Sequence, residues 1–117
     1  KKWEVFVENG RQPTNMDVSH WIKKAQDLGA GEVLLVSVDK DGTNNGFEKD
    51  LIAMTKDKIS IPLIIGGGFK DPKEIIECID NFNIDAFAIS HALHFNKITI
   101  GEIKKKLIDC NIIVRSY

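Results

Sequence analysis

The chain has no surplus of positive charge: sixteen Lys and Arg stand against seventeen Asp and Glu, a formal net charge of -1. Such a balance cannot neutralise a phosphate backbone, so no nucleic-acid partner is expected. Cysteine is scarce. Cys78 and Cys110 lie far apart, with no CxxC and no His at ligand spacing, which excludes a disulfide framework, gives no metal site and suits the reduced thiols of a cytoplasmic protein. Long apolar runs are missing too. Val33-Leu34-Leu35-Val36 falls far short of the roughly 20 residues a membrane span needs, and the first residues carry no signal-peptide pattern. Nine Gly and three Pro are too few for a collagen, a low-complexity linker or a disordered tail. No initiator Met precedes Lys1-Lys2-Trp3, which runs straight into the apolar alternation Trp3, Val5, Val7. The chain is expected to be a piece of a longer protein.

What is present is an alternation of helix and strand signals. Val18, Trp21, Ile22, Ala25 and Leu28 form one helical stripe, with Asp17 at the N-cap and Gly29 where the helix should stop. Glu32 to Val38 reads as a strand buried on both faces of a parallel sheet. After a loop from Asp39 to Gly46, a helix carrying Leu51, Ile52 and Met54 leads to a second buried strand, Ile61 to Ile65, with Pro62 at its start and Gly66-Gly67-Gly68 at its end. Asp71-Pro72-Lys73-Glu74 opens a helix through Ile75, Ile76, Ile79 and Phe82. Ala86 to Ile89 is a third strand. Thr99-Ile100-Gly101-Glu102 starts a last amphipathic helix, before a short apolar Ile112-Ile113-Val114.

Strand ends at Asp39, Gly66 and Ser90 recur at intervals of about 25 residues, the spacing of βα units with short connections. A serial βα chain allows an open doubly wound sheet or part of an eight-stranded barrel. At 117 residues the chain is about half the roughly 250 that a complete barrel needs. A doubly wound sheet of this size normally has five strands, more than can be counted here. The expected fold is therefore α/β, half of a TIM (βα)8 barrel with roughly four βα units and parallel strands, residues 1–117 forming a single half-barrel domain.

In either architecture ligands bind beyond the carboxyl ends of the strands, which singles out three loops. At the first, Asp39 is either a partly desolvated general acid or base or a brace that accepts loop N–H bonds. Asp41-Gly42 is first a turn signal. At the second, the glycine triplet leaves backbone N–H groups unobstructed, as an anionic oxygen requires, or is simply a tight strand exit. It is neither a Walker loop nor a GxGxxG fingerprint, so no nucleotide cofactor is expected. The third, Ser90-His91-Ala92, supports a phosphate reading, because loops after the last two barrel strands commonly share a phosphate. His91 either donates to that phosphate or packs at the strand end. His20, His94, Trp3 and Trp21 read as structural, and Lys104-Lys105-Lys106 as a solvated helix face.

Five blocks carry more than this. Phe6-Val7-Glu8-Asn9-Gly10-Arg11, Gly29-Ala30-Gly31-Glu32-Val33-Leu34-Leu35, Ser37-Val38-Asp39-Lys40-Asp41-Gly42-Thr43, Ile64-Ile65-Gly66-Gly67-Gly68 and Leu93-His94-Phe95 resemble, in order, the C-terminal half of the cyclase subunit family of imidazole glycerol phosphate synthase. The resemblance implies a histidine-biosynthesis lyase on a βα barrel. That enzyme takes ammonia from a glutaminase partner to split a phosphoribosyl-formimino ribonucleotide into imidazole glycerol phosphate and an aminoimidazole carboxamide ribonucleotide. It further implies that the two principal acid/base aspartates lie upstream of Lys1, so that the chain alone is expected to be inactive, and that Trp3 to Val7 belong to a β-extension of the fifth unit. Residue by residue, Asp39 falls on the acidic residue ending the sixth strand, Gly67 and Gly68 on one phosphate-binding loop, and Ser90 and His91 on the other.

The chain departs from that family where Gly66-Gly67-Gly68-Phe69-Lys70 replaces the commoner Ser-Gly-Gly-Ala-Gly, and where His91 stands in place of a frequent Ser. A related group resembles the cyclase but serves in amidation of bacterial surface sugars, again with an ammonia-supplying partner. A phosphate-binding half-barrel without catalysis is the remaining alternative. A half-barrel leaves its apolar interior uncovered, so association with itself or with a complementary half is expected.

Overall fold

A computed structural model describes residues 2–115. The chain opens with β1 (Glu4–Val7) and β2 (Gln12–Asp17), an antiparallel hairpin pairing Phe6 with Pro13 and Val7 with Gln12. Glu8, Asn9 and Gly10 turn it with successive positive φ values of 52°, 57° and 77°. Helix α1 (Val18–Asp27) follows without a linker. Asp17 caps it by accepting the Ser19 N–H at 2.9 Å, and the Ser19 hydroxyl bond to the same carboxylate holds the Asp17 pKa below its usual value. The β-extension beginning at Trp3 thus takes the form of this hairpin.

Three parallel strands come next: β3 (Val33–Val36), β4 (Leu63–Gly66) and β5 (Ala86–Ala88), in that spatial order. The register sets Leu34 beside Ile64 and Ile64 beside Ala86, then Val36 beside Gly66 and Gly66 beside Ala88. Between the strands run α2 (Lys49–Lys56) and α3 (Pro72–Phe82). Beyond β5 come the single turn α4 (His91–His94) and α5 (Ile100–Asp109). The predicted caps form: Asp71 accepts the Lys73 N–H at 2.8 Å, and Thr99 with Glu102 makes a reciprocal capping box.

The two faces of the sheet differ. Leu35, Leu63, Ile65 and Phe87 pack into the core with Ile22, Ile52, Ile75 and Ile103 of the helices. The opposite face is bare: Leu34 and Val36 are 58% and 43% exposed, and Ala86 and Ala88 are exposed as well. The expectation that β3 is buried on both faces is therefore corrected. A parallel sheet with helices on one side and bare apolar rows on the other is half of a (βα)8 barrel laid open, because the missing strands would cover the bare face. Trp21 also departs from expectation. It is exposed on α1, where Val18 and Ile22 carry the buried stripe.

Candidate anion-binding site

The carboxyl ends of all three parallel strands meet at one small pocket. Asp41, Gly42 and Asn44 line it from the loop after β3, Gly67 and Gly68 from the exit of β4, and Ser90 and His91 from the exit of β5. The two strand exits proposed from sequence to hold an anion thus adjoin each other. The free space, about 10 Å³, holds roughly one water molecule, so a phosphoryl group would occupy it with some of its oxygens and extend into solvent.

The glycine run owes its composition first to backbone packing. Gly67 and Gly68 have φ values of +81° and +96°, in the region an L side chain avoids. A Cβ on Gly67 would stand 3.0 Å from the Ser37 carbonyl oxygen, and one on Gly68 2.4 Å from the Gly46 carbonyl oxygen. The tight-exit reading is therefore sufficient to explain glycine at both positions. The same geometry strips side chains from the pocket wall, which an anion cradle also needs. Phe69, the departure that could have marked a different ligand, is buried, its ring 6.1 Å from Phe47, which in turn lies 5.6 Å from Phe87. It lines the pocket while its ring joins this aromatic cluster.

His91 is half-buried, with its Nδ1 3.0 Å from the Oδ1 of Asn44 and its ring 4.6 Å from Phe95. Ser90 is exposed at the rim. Asp39 is placed differently: it is exposed, in the turn where the Lys40 and Asp41 N–H groups bond the Ser37 carbonyl, and it does not line the pocket. Asn44 is the residue sequence reasoning missed. Asn44-Asn45-Gly46 reads as an ordinary loop, and the positive φ of Asn44, 58°, is typical of turn asparagine. Only the fold reveals its histidine partner, 47 residues away.

Other reactive groups lie elsewhere. Cys78 is fully buried, and that burial pushes its thiol pKa up to about 11, whereas Cys110 is exposed. Among the described residues no group of three or more His, Cys, Asp or Glu side chains is placed to hold a metal ion, and no helix is long and apolar enough to cross a membrane.

A family model described as "Histidine biosynthesis protein" matches residues 1–99. The chain belongs to this family. Among its relatives, the imidazole glycerol phosphate synthase subunit HisF of Bacillus cereus is 40% identical over 114 residues, 97% of this chain and 45% of the relative. HisF of Nitrosopumilus maritimus is 41% identical over 116 residues, 98% of this chain and 44% of the relative. HisF of Prochlorococcus marinus is 40% identical over 114 residues, again 97% and 44%. The chain therefore spans somewhat less than half the length of these relatives, in accord with the bare inner face of its sheet.

Proposed function

We propose that residues 1–117 form a single half-barrel domain, the phosphate-binding half of a cyclase of the imidazole glycerol phosphate synthase type. In this reading the whole protein is a cytoplasmic lyase of histidine biosynthesis. It receives ammonia from a glutaminase subunit and works on a phosphorylated ribonucleotide with no cofactor of its own. The observation that carries the reading is the meeting of the β4 and β5 exits, where Gly67, Gly68, Ser90 and His91 surround one pocket. About 40% identity to HisF proteins along nearly the whole chain supports it.

Peptide N–H groups at two adjacent strand ends can anchor a phosphoryl oxygen without a charged side chain. Such an anchor holds the substrate's far end, and its binding energy positions the reacting end. Asp39, exposed at the end of β3, is assigned to proton transfer in the complete barrel, where the missing strands would close over the mouth. The bare face with Leu34, Val36 and Ala88 supports association of the chain with itself or with a complementary half.

The test is formation of imidazole glycerol phosphate by the full-length protein together with its glutaminase. Product is expected from that assembly and none from residues 1–117 alone. An inactive assembly, under conditions where an authentic HisF pair turns over, would overturn the assignment in favour of amidation of a surface sugar.

A further inference from the structure

We infer that Asn44 is a positioning residue that fixes the tautomer of His91, so that the pocket binds a dianionic oxyanion together with one proton. The inference rests on the anion-site reading above and goes beyond it, because it concerns how this chain accommodates an imidazole at a strand exit.

The His91 ring makes a polar side-chain contact across the pocket loops. Asn44 presents Oδ1, an acceptor only, to His91 Nδ1 at 3.0 Å. With the Asn44 amide in this orientation two acceptors would otherwise face each other, so the inferred tautomer has its hydrogen on Nδ1, donated to Oδ1. Nε2 is then the remaining polar atom of the imidazole, in a residue that itself lines the pocket. The ring lies against Phe95, with centroids 4.6 Å apart and planes tilted by 49°, and its Cδ2, the carbon bonded to Nε2, lies on the side of Gly42.

A neutral ring in this tautomer presents a lone pair at Nε2. That lone pair repels a dianionic oxygen and makes no hydrogen bond with it. Taking one proton from solvent onto Nε2 converts the repulsion into a charge-assisted N–H···O bond. No other atom changes its bonding. The surrounding charged groups are compatible with the step. Asp41 lines the same pocket, where its charge opposes the dianion and attracts a ring that has taken up the proton. The Lys40 Cβ lies beside Gly68, Glu74 is engaged by the Lys70 N–H at 2.9 Å, and His94 stands across the Phe95 ring.

The experiment uses the full chain and sulfate, a dianion that does not itself titrate near neutrality. Nitrogen-15 NMR of the free protein above pH 8 is expected to show His91 with its hydrogen on Nδ1. Calorimetry in buffers of differing ionisation enthalpy is expected to show uptake approaching one proton per sulfate, with affinity falling about tenfold per pH unit once the free ring is neutral. Asn44→Leu should release the tautomer and weaken binding, Asn44→Asp should restore both, and His91→Gln should abolish the uptake. A hydrogen on Nε2 in the free protein, or sulfate binding with no proton uptake, overturns the inference while leaving the anion site standing. If neither sulfate nor inorganic phosphate binds, the site reading falls and the inference with it.

Discussion

Gly46 and Gly68 meet backbone to backbone: the Gly46 N–H donates to the Gly68 carbonyl at 2.8 Å, and the Gly46 carbonyl oxygen occupies the space a Gly68 side chain would need. This contact ties the loop after β3 to the exit of β4 and so builds one wall of the pocket. Gly68→Ala must therefore open the loop or distort the strand exit. Its expected cost is at least about 2 kcal/mol in unfolding free energy by denaturant titration, since steric overlap adds to an unfavourable φ. Gly31→Ala, where a Cβ meets nothing within 4 Å, should change stability by less than about 0.5 kcal/mol. Equal effects at the two sites would remove the packing explanation.

The bare sheet face gives a second prediction. Leu34→Asn with Val36→Thr alters exposed residues on the side away from the helices, so the fold should survive while self-association weakens. Sedimentation velocity should show the wild-type chain forming larger species at concentrations where the double variant is monomeric. Identical distributions would show that this face is not what brings copies together.

Asp85 links β4 to α2, accepting the Leu63 N–H at 3.0 Å and the Lys56 ammonium at 3.5 Å. The Leu63 bond, with the Lys56 charge, holds its pKa below the ordinary carboxylate value. A lowered folded-state pKa means that the contribution is complete above the unfolded value, near 4, and is lost as pH falls through the folded one. Asp85→Asn should therefore flatten the loss of stability below about pH 4 relative to wild type. The effect should be small, because the side chain is 45% exposed. Parallel pH profiles would contradict the assignment.

The thiols should separate cleanly. Cys110 is exposed, whereas Cys78 is buried with its thiol pushed up to about 11, so it holds little thiolate at neutral pH. Alkylation of the native chain followed by peptide mapping should label Cys110 at once and Cys78 only on unfolding. Rapid labelling of both would show that the core around α3 opens readily.

What could be read from sequence divides along physical lines. The helix starts at Asp17, Asp71 and Thr99 were legible because capping is local chemistry, complete within three or four residues. Strand β2 was not: Gln12-Pro13-Thr14-Asn15-Met16 is polar and contains proline, a pattern suited to a hairpin edge but without an alternating apolar signal. The exposure of Leu34 and Val36 was equally hidden. An interior barrel strand is apolar on both sides whether or not the other strands accompany it. At the site, the strand-end positions of Gly67, Gly68, Ser90 and His91 followed from the βα rhythm. Asn44 depended on a contact across 47 residues that no local pattern announces.

Titration of the nitrogen-15-labelled full chain with inorganic phosphate, followed by amide chemical shifts, bears most directly on the anion site. Gly67, Gly68, Ser90 and His91 should move together on a single saturating curve. Shifts confined to other surfaces, such as the basic face of α1 with Lys23 and Lys24, or no saturable shift at the two strand exits, would contradict it.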